Sequence, residues 1–395
     1  THGMPTVHID RLNAQRVSSS VLTCFEQFEV QVAKQNIQNF RGDGSRVFRV
    51  ELTGEGASDA GGPYREVIDS MCRELQSPAN VDENYHGYRS PGGAIELFLP
   101  CPNAKLAAQG TGIGRNRDKY LVNPAASLPK HLRLFECVGK LMGMAMLTKS
   151  PLALDLPPMF WKCLTGDVPT MADLKDVDAF CAQVLESMLN PAQHSITKEN
   201  FSDIFYGETF TTTLSNGEQI ELIDGGADTP VTFDNRKRYV DLVIAARLGE
   251  ASEQMAAVSK GLSAVVGDVC WIYTWQELET MICGSPDIDV EELKKRTTAP
   301  PGEAVVDMFW QVMTELSQHE RSKVLKFISG RSRLGTGETY KIQVSSAHKE
   351  SLPTAGTCFM SLTLPRYTDK ETLKKKLLTA VFLCADIDTD YVVQH

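Results

Sequence analysis

Residues 352–365 read LPTAGTCFMSLTLP and carry one cysteine, Cys358, at the point where a loop meets a strand. Pro353 and Gly356 disfavour a helix before the cysteine. Apolar and hydroxyl-bearing residues then alternate over 360–364, and this period of two predicts a strand. A thiol at such a junction can be exposed at the end of the strand. Two interpretations therefore stay open: a catalytic nucleophile and a buried structural cysteine.

Thr357 precedes the cysteine, and its hydroxyl and backbone N–H are both groups that can stabilise a thiolate. The other nine of the ten cysteines form no CxxC pair, and most lie in apolar, helix-like sequence. We interpret them as buried, reduced thiols of a cytoplasmic protein. Zinc-binding spacing is absent and the eight histidines form no HExxH motif, so no metal site is predicted.

The chain has 395 residues, 42% of them apolar and 23% charged, which is typical of a globular protein of two or three domains. A formal net charge of −10 argues against nucleic acid as the main ligand. No run of about 18 apolar residues occurs, so no membrane span is predicted. The N-terminus lacks the basic and apolar regions of a signal peptide and does not begin with methionine, so we expect a processed chain or an excised fragment.

Periodicity predicts mostly helices up to about residue 283 and a smaller α/β unit of about 100 residues after it. The N-terminal part is expected to contain a strand over 46–53, a hairpin at Asn216-Gly217, and helices after Pro63 and over 10–36, 130–147, 178–189 and 234–258. The C-terminal part is expected to contain a helix pair over 303–328, a hairpin over 333–344, and a last helix with a Thr368–Glu371 capping box and a buried stripe of Leu373, Leu377, Leu378 and Val381. Between the two parts, CGSPDIDV at 283–290 has the composition of a linker.

Two glycine-rich stretches are weaker signals. GTGIG at 110–114 resembles a dinucleotide-binding loop, but no strand precedes it and a polar stretch follows, so we interpret it as a surface loop. DAGGPYRE at 59–66 fits an anion site at a helix start, or a tight turn that Asp59 and Arg65 hold together, and the turn is the favoured interpretation.

The stretch LPTAGTCFMSLTLPRY resembles the active-site segment of HECT ubiquitin ligases, which typically reads LP-x-[AS]-H-T-C-F-N-x-L-x-LP-x-Y. Further stretches resemble other segments of the family in the family's order, among them VELTGEGASDAGGPYREV, HLRLFECVGKLMGMAM, LDLPPMFWKCL, VTFDNRKRYVDLV and LKFISGRSRL. The resemblance covers about residues 45–385, and within the family it is strongest to the large HERC members.

This resemblance implies an α+β, bilobal HECT fold. A larger, mostly helical N-lobe at 1–284 would bind a ubiquitin-charged conjugating enzyme through a subdomain at about 165–240. A smaller α/β C-lobe at 289–395 would carry the cysteine. A flexible hinge at 285–288 would join the lobes, and the hinge residues would be Gly284, Ser285, Pro286, Asp287 and Ile288. The implied partners are a ubiquitin-conjugating enzyme, ubiquitin and protein substrates.

The implied reaction is two acyl transfers that need no metal ion or other cofactor. Cys358 would take ubiquitin as a thioester and pass it to a substrate lysine, and Thr357 would help to stabilise the thiolate or the oxyanion. The conjugating-enzyme groove would include Leu185, Leu189 and Tyr239. Core packing of amphipathic helices remains the alternative role for these three residues.

The sequence departs from the family pattern near the cysteine and in the tail. Gly356 replaces a frequent histidine, and Met360 replaces a frequent asparagine. The tail lacks the phenylalanine that many members carry, with Tyr391 or Val392 as possible replacements. Its acidic residues would attract the incoming lysine, act as a base or simply be solvated, and they are Asp386, Asp388 and Asp390.

Two other classes of protein remain compatible with these observations. A cysteine protease or deubiquitinase also uses an activated thiol but needs a positioned histidine, and the nearest one in sequence is His348. A non-catalytic scaffold with a HECT-like fold is the second alternative, because Gly356 removes a group that assists proton transfer. The substrates, the preferred conjugating enzyme and the chain linkage depend on surfaces that a sequence pattern does not predict.

Overall fold

The computed structural model describes residues 4–14, 22–42, 46–54, 62–76, 95–108, 114–148, 150–335, 338–346 and 351–387. The description excludes the side chains at 12–13, 62–63, 107–108, 358 and 382–387. The helices are α1 Arg11–Ala14, α2 Cys24–Ala33, α3 Gly62–Leu75, α4 Pro102–Ala108, α5 Pro129–Thr148, α6 Pro158–Thr165, α7 Met171–Val177, α8 Ala179–Leu189, α9 Phe201–Ile204, α10 Arg236–Gly249, α11 Ser252–Val266, α12 Trp275–Cys283, α13 Val290–Lys295, α14 Ala304–Glu315, α15 Gln318–Ser329 and α16 Lys370–Ile387. The strands are β1 Thr6–Ile9, β2 Arg49–Leu52, β3 Phe98–Pro100, β4 Tyr120–Val122, β5 Thr211–Thr213, β6 Gln219–Glu221, β7 Thr297–Thr298, β8 Tyr340–Ser345, β9 Thr354–Gly356 and β10 Ser361–Pro365.

The predicted mixture of helices and strands is confirmed, and most of the predicted helices form. Two of them are divided. The helix expected over 10–36 contains α1 and α2, and Thr23 in extended conformation caps the start of α2. The helix expected over 234–258 is α10 followed by α11. The break lies at Glu250 and Ala251, where the Ser252 hydroxyl donates a hydrogen bond of 2.7 Å to the Gly249 carbonyl oxygen. A short polar side chain that bonds the backbone in this way competes with the helical pattern.

The chain forms two compact units, and the first comprises Thr1–Ala94, Leu141–Leu154 and Glu279–His395. Its sheet of four strands has the order β7-β8-β10-β9. In this sheet β8 is parallel to both β7 and β10, while β9 is antiparallel to β10. The hairpin predicted over 333–344 is therefore wrong, because β8 pairs with strands from distant sequence. Leu334 instead forms an isolated antiparallel bridge with Ser285.

The last helix, α16, packs against α14 and α15 in the core of this unit. Leu373 and Leu377 are fully buried there, Val381 is buried and Leu378 is half-buried, which confirms the predicted stripe. The predicted Thr368–Glu371 capping box is wrong. Asp369 caps the helix, since its carboxylate accepts a hydrogen bond of 2.7 Å from the Thr372 backbone N–H.

The second unit comprises Ile95–Lys140 and Asp155–Leu278. In it α5 and α11 cross at two glycines: a Cβ on Gly139 would lie 1.9 Å from the Val258 carbonyl oxygen, and one on Gly261 would lie 1.8 Å from the Glu136 carbonyl oxygen. Only glycine permits such a close approach of two helix backbones. The hairpin predicted at Asn216-Gly217 is confirmed, with β5 and β6 antiparallel and Gly217 at a φ of 91°.

Among the described residues, no helix combines the length and the hydropathy needed to cross a membrane. The same residues contain no group of three or more histidine, cysteine, aspartate or glutamate side chains that could hold a metal ion.

Candidate active site

Cys358 lies in a short turn that connects the antiparallel strands β9 and β10. We call Thr357–Met360 the cysteine turn. Its first three residues form one 3-10 turn, which the Met360 N–H closes by donating a hydrogen bond of 3.2 Å to the Thr357 carbonyl oxygen. The cysteine therefore stands at the end of the sheet, and the strand predicted after it is confirmed.

Burial divides the cysteine turn into an anchored residue and exposed residues. The Met360 side chain is 3% exposed, and its backbone has a φ of 47° in the left-handed region. Its carbonyl oxygen accepts a hydrogen bond of 3.0 Å from the Lys341 N–H, which fixes the turn to β8. Thr357 is exposed, and the Phe359 side chain is 83% exposed. The turn thus presents the residues on both sides of the cysteine to solvent.

The position before Thr357 has little room for a side chain. Gly356 pairs with Ser361 across the two strands, and a Cβ on Gly356 would lie 2.9 Å from the Ser361 Oγ. The Ser361 hydroxyl faces the Gly356 carbonyl oxygen at 3.5 Å. Ser361 thus occupies space that a larger residue at 356 would need.

Two helices of the same unit, α15 and α3, pack against the cysteine turn. A buried charged cluster ties them together. The Arg331 side chain, 3% exposed, bonds the Asp69 carboxylate of α3 at 3.3 Å and also pairs with Glu338. Burial raises the pKa of the Asp69 carboxyl above its ordinary value and outweighs the attraction of Arg331. The cluster holds α3 beside the segment that follows α15.

The other described thiols are mostly poor nucleophiles. Cys24, Cys72, Cys101, Cys137, Cys270 and Cys283 are buried, as predicted. Burial raises the pKa of the Cys72 thiol, and burial followed by the Asp178 charge raises the pKa of Cys181 to about 11. Cys163 is an exception to the prediction, because it is exposed on α6. It therefore serves as the natural control thiol for Cys358.

The predicted groove residues lie in one apolar cluster of the second unit. Leu185 is 2% exposed, Tyr239 is 6% exposed and Leu189 is half-buried against the same cluster. The Tyr239 ring meets the Phe210 ring edge-on at a centroid distance of 5.6 Å. Its hydroxyl lies 3.4 Å from the Glu208 carboxylate, and burial followed by that charge raises the pKa of Tyr239. For Leu185 and Tyr239 the structure favours the alternative of core packing.

Exposed apolar side chains occur in the same region, and the sequence analysis did not single them out. Tyr206 is 92% exposed, Phe180 is 64% exposed and Ile204 is 50% exposed. Ile204 and Tyr206 flank Phe205, whose ring packs on Phe201 at 4.7 Å. The signal in the sequence was the group of three aromatic residues and one isoleucine in FSDIFYG at 201–207, a stretch that ends in a glycine.

The predicted hinge residues are not uniformly free. Gly284 has a φ of 83°, and the Ser285 N–H donates a hydrogen bond of 3.0 Å to the Leu334 carbonyl oxygen. Ile288 is fully buried, and its N–H donates a hydrogen bond of 2.9 Å to the Gln318 side chain. Pro286 and Asp287 are exposed. Within the predicted hinge, exposure is thus highest at 286–287.

Several predicted features lie outside the described residues. They are most of the GTGIG stretch, Asp59, His348, Asp388, Asp390, Tyr391 and Val392. The side chain of Asp386, like that of Cys358, is also outside the description.

A scan against protein-family models matches residues 96–388 to the HECT-domain (ubiquitin-transferase) family. The chain belongs to the HECT family. It is 37% identical to the E3 ubiquitin-protein ligase HERC2 of Mus musculus over 358 residues, which is 87% of this chain and 7% of that protein. It is 28% identical to HUWE1 of Mus musculus over 85% of this chain and 7% of HUWE1, and 29% identical to TOM1 of Saccharomyces cerevisiae over 84% of this chain and 10% of TOM1. Both relatives are also named E3 ubiquitin-protein ligases.

The predicted resemblance to HECT ligases, including the large HERC members, is confirmed by these matches. The chain spans about a tenth or less of the length of these relatives.

Proposed function

We propose that this HECT chain accepts ubiquitin from a charged conjugating enzyme onto Cys358 and transfers it to a lysine of a protein substrate. The observation that carries the proposal is the position of Cys358 between two exposed residues, Thr357 and Phe359, in the cysteine turn at the end of the sheet. Family membership supplies the reaction class.

In the first step the Cys358 thiolate attacks the carbonyl carbon of the thioester on the conjugating enzyme. A new C–S bond forms, the old C–S bond breaks, and the thiolate of the conjugating enzyme leaves. In the second step a neutral lysine amine attacks the same carbon and a C–N bond forms. The C–S bond breaks, Cys358 leaves as a thiolate, and the proton lost by the nitrogen passes to solvent. Cysteine suits both steps because its thiolate is accessible near neutral pH and is a good leaving group.

Each step passes through a tetrahedral oxyanion that hydrogen-bond donors can stabilise. Thr357 is the candidate donor, because it is exposed and adjacent to Cys358. Its carbonyl oxygen already accepts the Met360 N–H, and this bond fixes the backbone of the turn. The hydroxyl is therefore carried on a fixed backbone, one residue before Cys358.

The proposed bilobal fold has an N-lobe at 1–284 and a C-lobe at 289–395, and a hinge at 285–288 joins them. Motion between lobes would bring Cys358 first to the conjugating enzyme and then to a lysine. The exposure of Pro286 and Asp287 supports motion at these two residues. The compact units of the structure follow other boundaries, since residues 1–94 group with 279–395.

The proposed conjugating-enzyme surface lies in the subdomain at about 165–240. Its contact residues are the exposed Ile204 and Tyr206 together with the half-buried Leu189, because a docked protein gains most from large apolar side chains that it removes from water. Leu185 and Tyr239 would form the packed layer beneath them. The conjugating enzyme would thus bind in the predicted region, but Ile204 and Tyr206 would contact it in place of Leu185 and Tyr239.

The first experiment compares ubiquitin loading of the native chain, Cys358→Ala and Cys163→Ala by a charged conjugating enzyme. We expect Cys358→Ala to form no thiol-sensitive ubiquitin adduct, because the acceptor sulfur is gone. Cys163→Ala removes the exposed thiol of the second unit and should load normally. A Cys358→Ser chain should form a more stable ester.

Undiminished loading of Cys358→Ala would overturn the assignment. Hydrolysis of a ubiquitin chain by the native protein, with no conjugating enzyme present, would instead support the deubiquitinase alternative. Failure of the native chain to load from any enzyme in a broad panel would support the scaffold alternative.

A further inference from the structure

The strand β7 ends after two residues, although its neighbour β8 continues for four more. Thr297 and Thr298 pair with Tyr340 and Lys341, and the chain then runs into Pro300 and Pro301. Proline has no backbone N–H to donate to a sheet and therefore ends pairing. Beyond Lys341, β8 has no paired neighbour on this side among the described strands.

The register determines which backbone groups face the open side. The Lys341 N–H donates to the Met360 carbonyl oxygen, so the odd-numbered residues of β8 bond to β10. The Tyr340 N–H donates to the Arg296 carbonyl oxygen, so the even-numbered residues face β7. With β7 ended, the carbonyl oxygen of Ile342 and both backbone groups of Val344 point to the open side.

A cavity of about 390 Å³ lies along this open edge. One wall is Thr298–Pro300 with Glu303, and the other is Lys341–Val344 of β8. The cavity thus occupies the place that a longer β7 would fill. Its elongated lining along four residues of one strand suits an extended peptide.

The charges at this edge indicate the chemistry of such a peptide. Glu303 is already paired with Arg366, with 2.6 Å between the Arg366 Nη2 and the Glu303 Oε1. Lys341 is exposed, and no described carboxylate lies within ion-pair distance of its ammonium group. One positive charge beside the open edge is therefore unbalanced, which favours an acidic partner.

We propose that the open edge of β8 binds an extended, acidic segment of a protein substrate as an added strand. Alternate residues of the segment would face the cavity, and their preferred type is β-branched. An acidic residue of the segment would pair with Lys341. The role as a substrate site rests on the proposed ubiquitin transfer, whereas the binding of the peptide does not.

The sheet relates this edge to the cysteine turn. A strand added at the open edge lies three strand positions from β9, which is about 14 Å at the usual spacing. Because β8 and β10 are parallel, Lys341 lies at the end of the sheet that carries the turn. About eight extended residues span more than 20 Å, so a lysine at that distance along a bound segment would reach Cys358.

The binding experiment uses a fluorescein-labelled peptide of nine residues in which valine alternates with glutamate and threonine. Its control has proline in place of two central valines and therefore cannot pair as a strand. We expect saturable binding of the first peptide, at least about tenfold weaker binding of the proline peptide, and slower amide exchange at Val344 in the first complex. Equal binding of both peptides, or no binding of either, would overturn the proposal.

Two variants locate the site. Val344→Pro removes an N–H that faces the open edge while keeping the ladder to β10, and should weaken binding about tenfold. Lys341→Glu changes an exposed side chain and should weaken binding about two- to fivefold, an effect that high salt removes. Lys341→Glu also keeps the test valid if Val344→Pro does not fold. Binding that is unchanged in every folded variant of this pair would refute the proposed location.

A third measurement separates this inference from the proposed function. Peptide binding should be the same for the native chain and for Cys358→Ala, because the edge does not involve the thiol. A peptide extended by eight residues to a lysine should accept ubiquitin faster than its proline control, but only from the native chain. Binding without transfer would support the peptide site and contradict its role in substrate delivery. Transfer without a difference between the peptides would contradict the site itself.

Discussion

Site residues were predicted from sequence in both the cysteine turn and the subdomain at 165–240, but the exposure of the residues differs between the two regions. In the turn, Thr357 and Phe359 are exposed on either side of Cys358. In the subdomain, Leu185 and Tyr239 are buried in an apolar cluster. The difference teaches that a sequence pattern identifies a nucleophile more reliably than it identifies a docking residue.

A reactive thiol needs a backbone that turns and a position that solvent and partner can reach, and both requirements restrict the neighbouring residues. A docking residue needs only to be large and apolar, which is equally true of a core residue. Exposure, which separates the two, depends on the helices packed nearby. Tyr239→Ala and Tyr206→Ala test this comparison, and Asp287→Pro, with the smallest expected effect, tests whether motion between the two regions limits transfer.

Tyr239→Ala should destabilise the chain by about 3–5 kcal/mol, the usual cost of truncating a buried aromatic residue to alanine. The ring is 6% exposed and packs edge-on against Phe210. The measurement is the free energy of unfolding in urea. Tyr239→Phe keeps the ring and loses only the long hydroxyl contacts, so its cost should stay below about 1 kcal/mol.

A Tyr239→Ala chain with native stability but weakened binding of the conjugating enzyme would contradict this burial argument. It would make Tyr239 a contact residue after all and remove the contrast between the two regions.

Tyr206→Ala should leave the unfolding free energy within about 0.5 kcal/mol of the native value, because the side chain is 92% exposed. It should weaken binding of the conjugating enzyme by about 1–3 kcal/mol if Tyr206 is an interface anchor. Calorimetric titration measures the affinity, and a melting curve checks the fold. Phe180→Ala on α8 is a matched exposed aromatic outside the 201–207 run, and it should have a smaller effect. Native affinity in Tyr206→Ala would place the docking surface elsewhere.

Asp287→Pro tests whether residues 286–287 allow the motion that transfer needs. Asp287 is exposed, and no described group accepts its N–H, so the proline should leave the fold intact. Adjacent prolines at 286 and 287 would stiffen the segment and slow loading of Cys358 about tenfold, or roughly 1.4 kcal/mol of barrier. Asp287→Ala is the control for the lost carboxylate. An unchanged loading rate in Asp287→Pro would mean that motion here does not limit transfer.

Proline at Ser285 or Ile288, which the composition of the linker alone would suggest, is a poor test. Each residue uses its N–H in a hydrogen bond, and Ile288 is fully buried. Such changes would lower the stability of the fold, and loading would then slow because the chain is destabilised and not because motion is restricted.

Local sequence was sufficient where the physics is local. The alternation after Cys358 predicted β10, Asn216-Gly217 predicted the β5–β6 hairpin, and the leucine spacing in 373–381 predicted the buried stripe of α16. Each of these follows from neighbouring residues, because the two-residue period, the left-handed φ of Gly217 and the helical period are properties of short segments. The ordered family motifs added the reaction class and Cys358.

Only the tertiary structure decided the features that depend on distant residues. The strand β8 lies between β7 and β10, although the sequence of 333–344 is equally suited to a hairpin, because hydrogen-bond partners in a parallel sheet come from elsewhere in the chain. Tyr239 is buried because Phe210 and the surrounding apolar side chains cover it. Among the described strands, β8 has no neighbour on one side beyond Lys341, because Pro300 ends β7 more than forty residues earlier in the chain. Burial and pairing are set by the whole fold, which no short stretch of sequence contains.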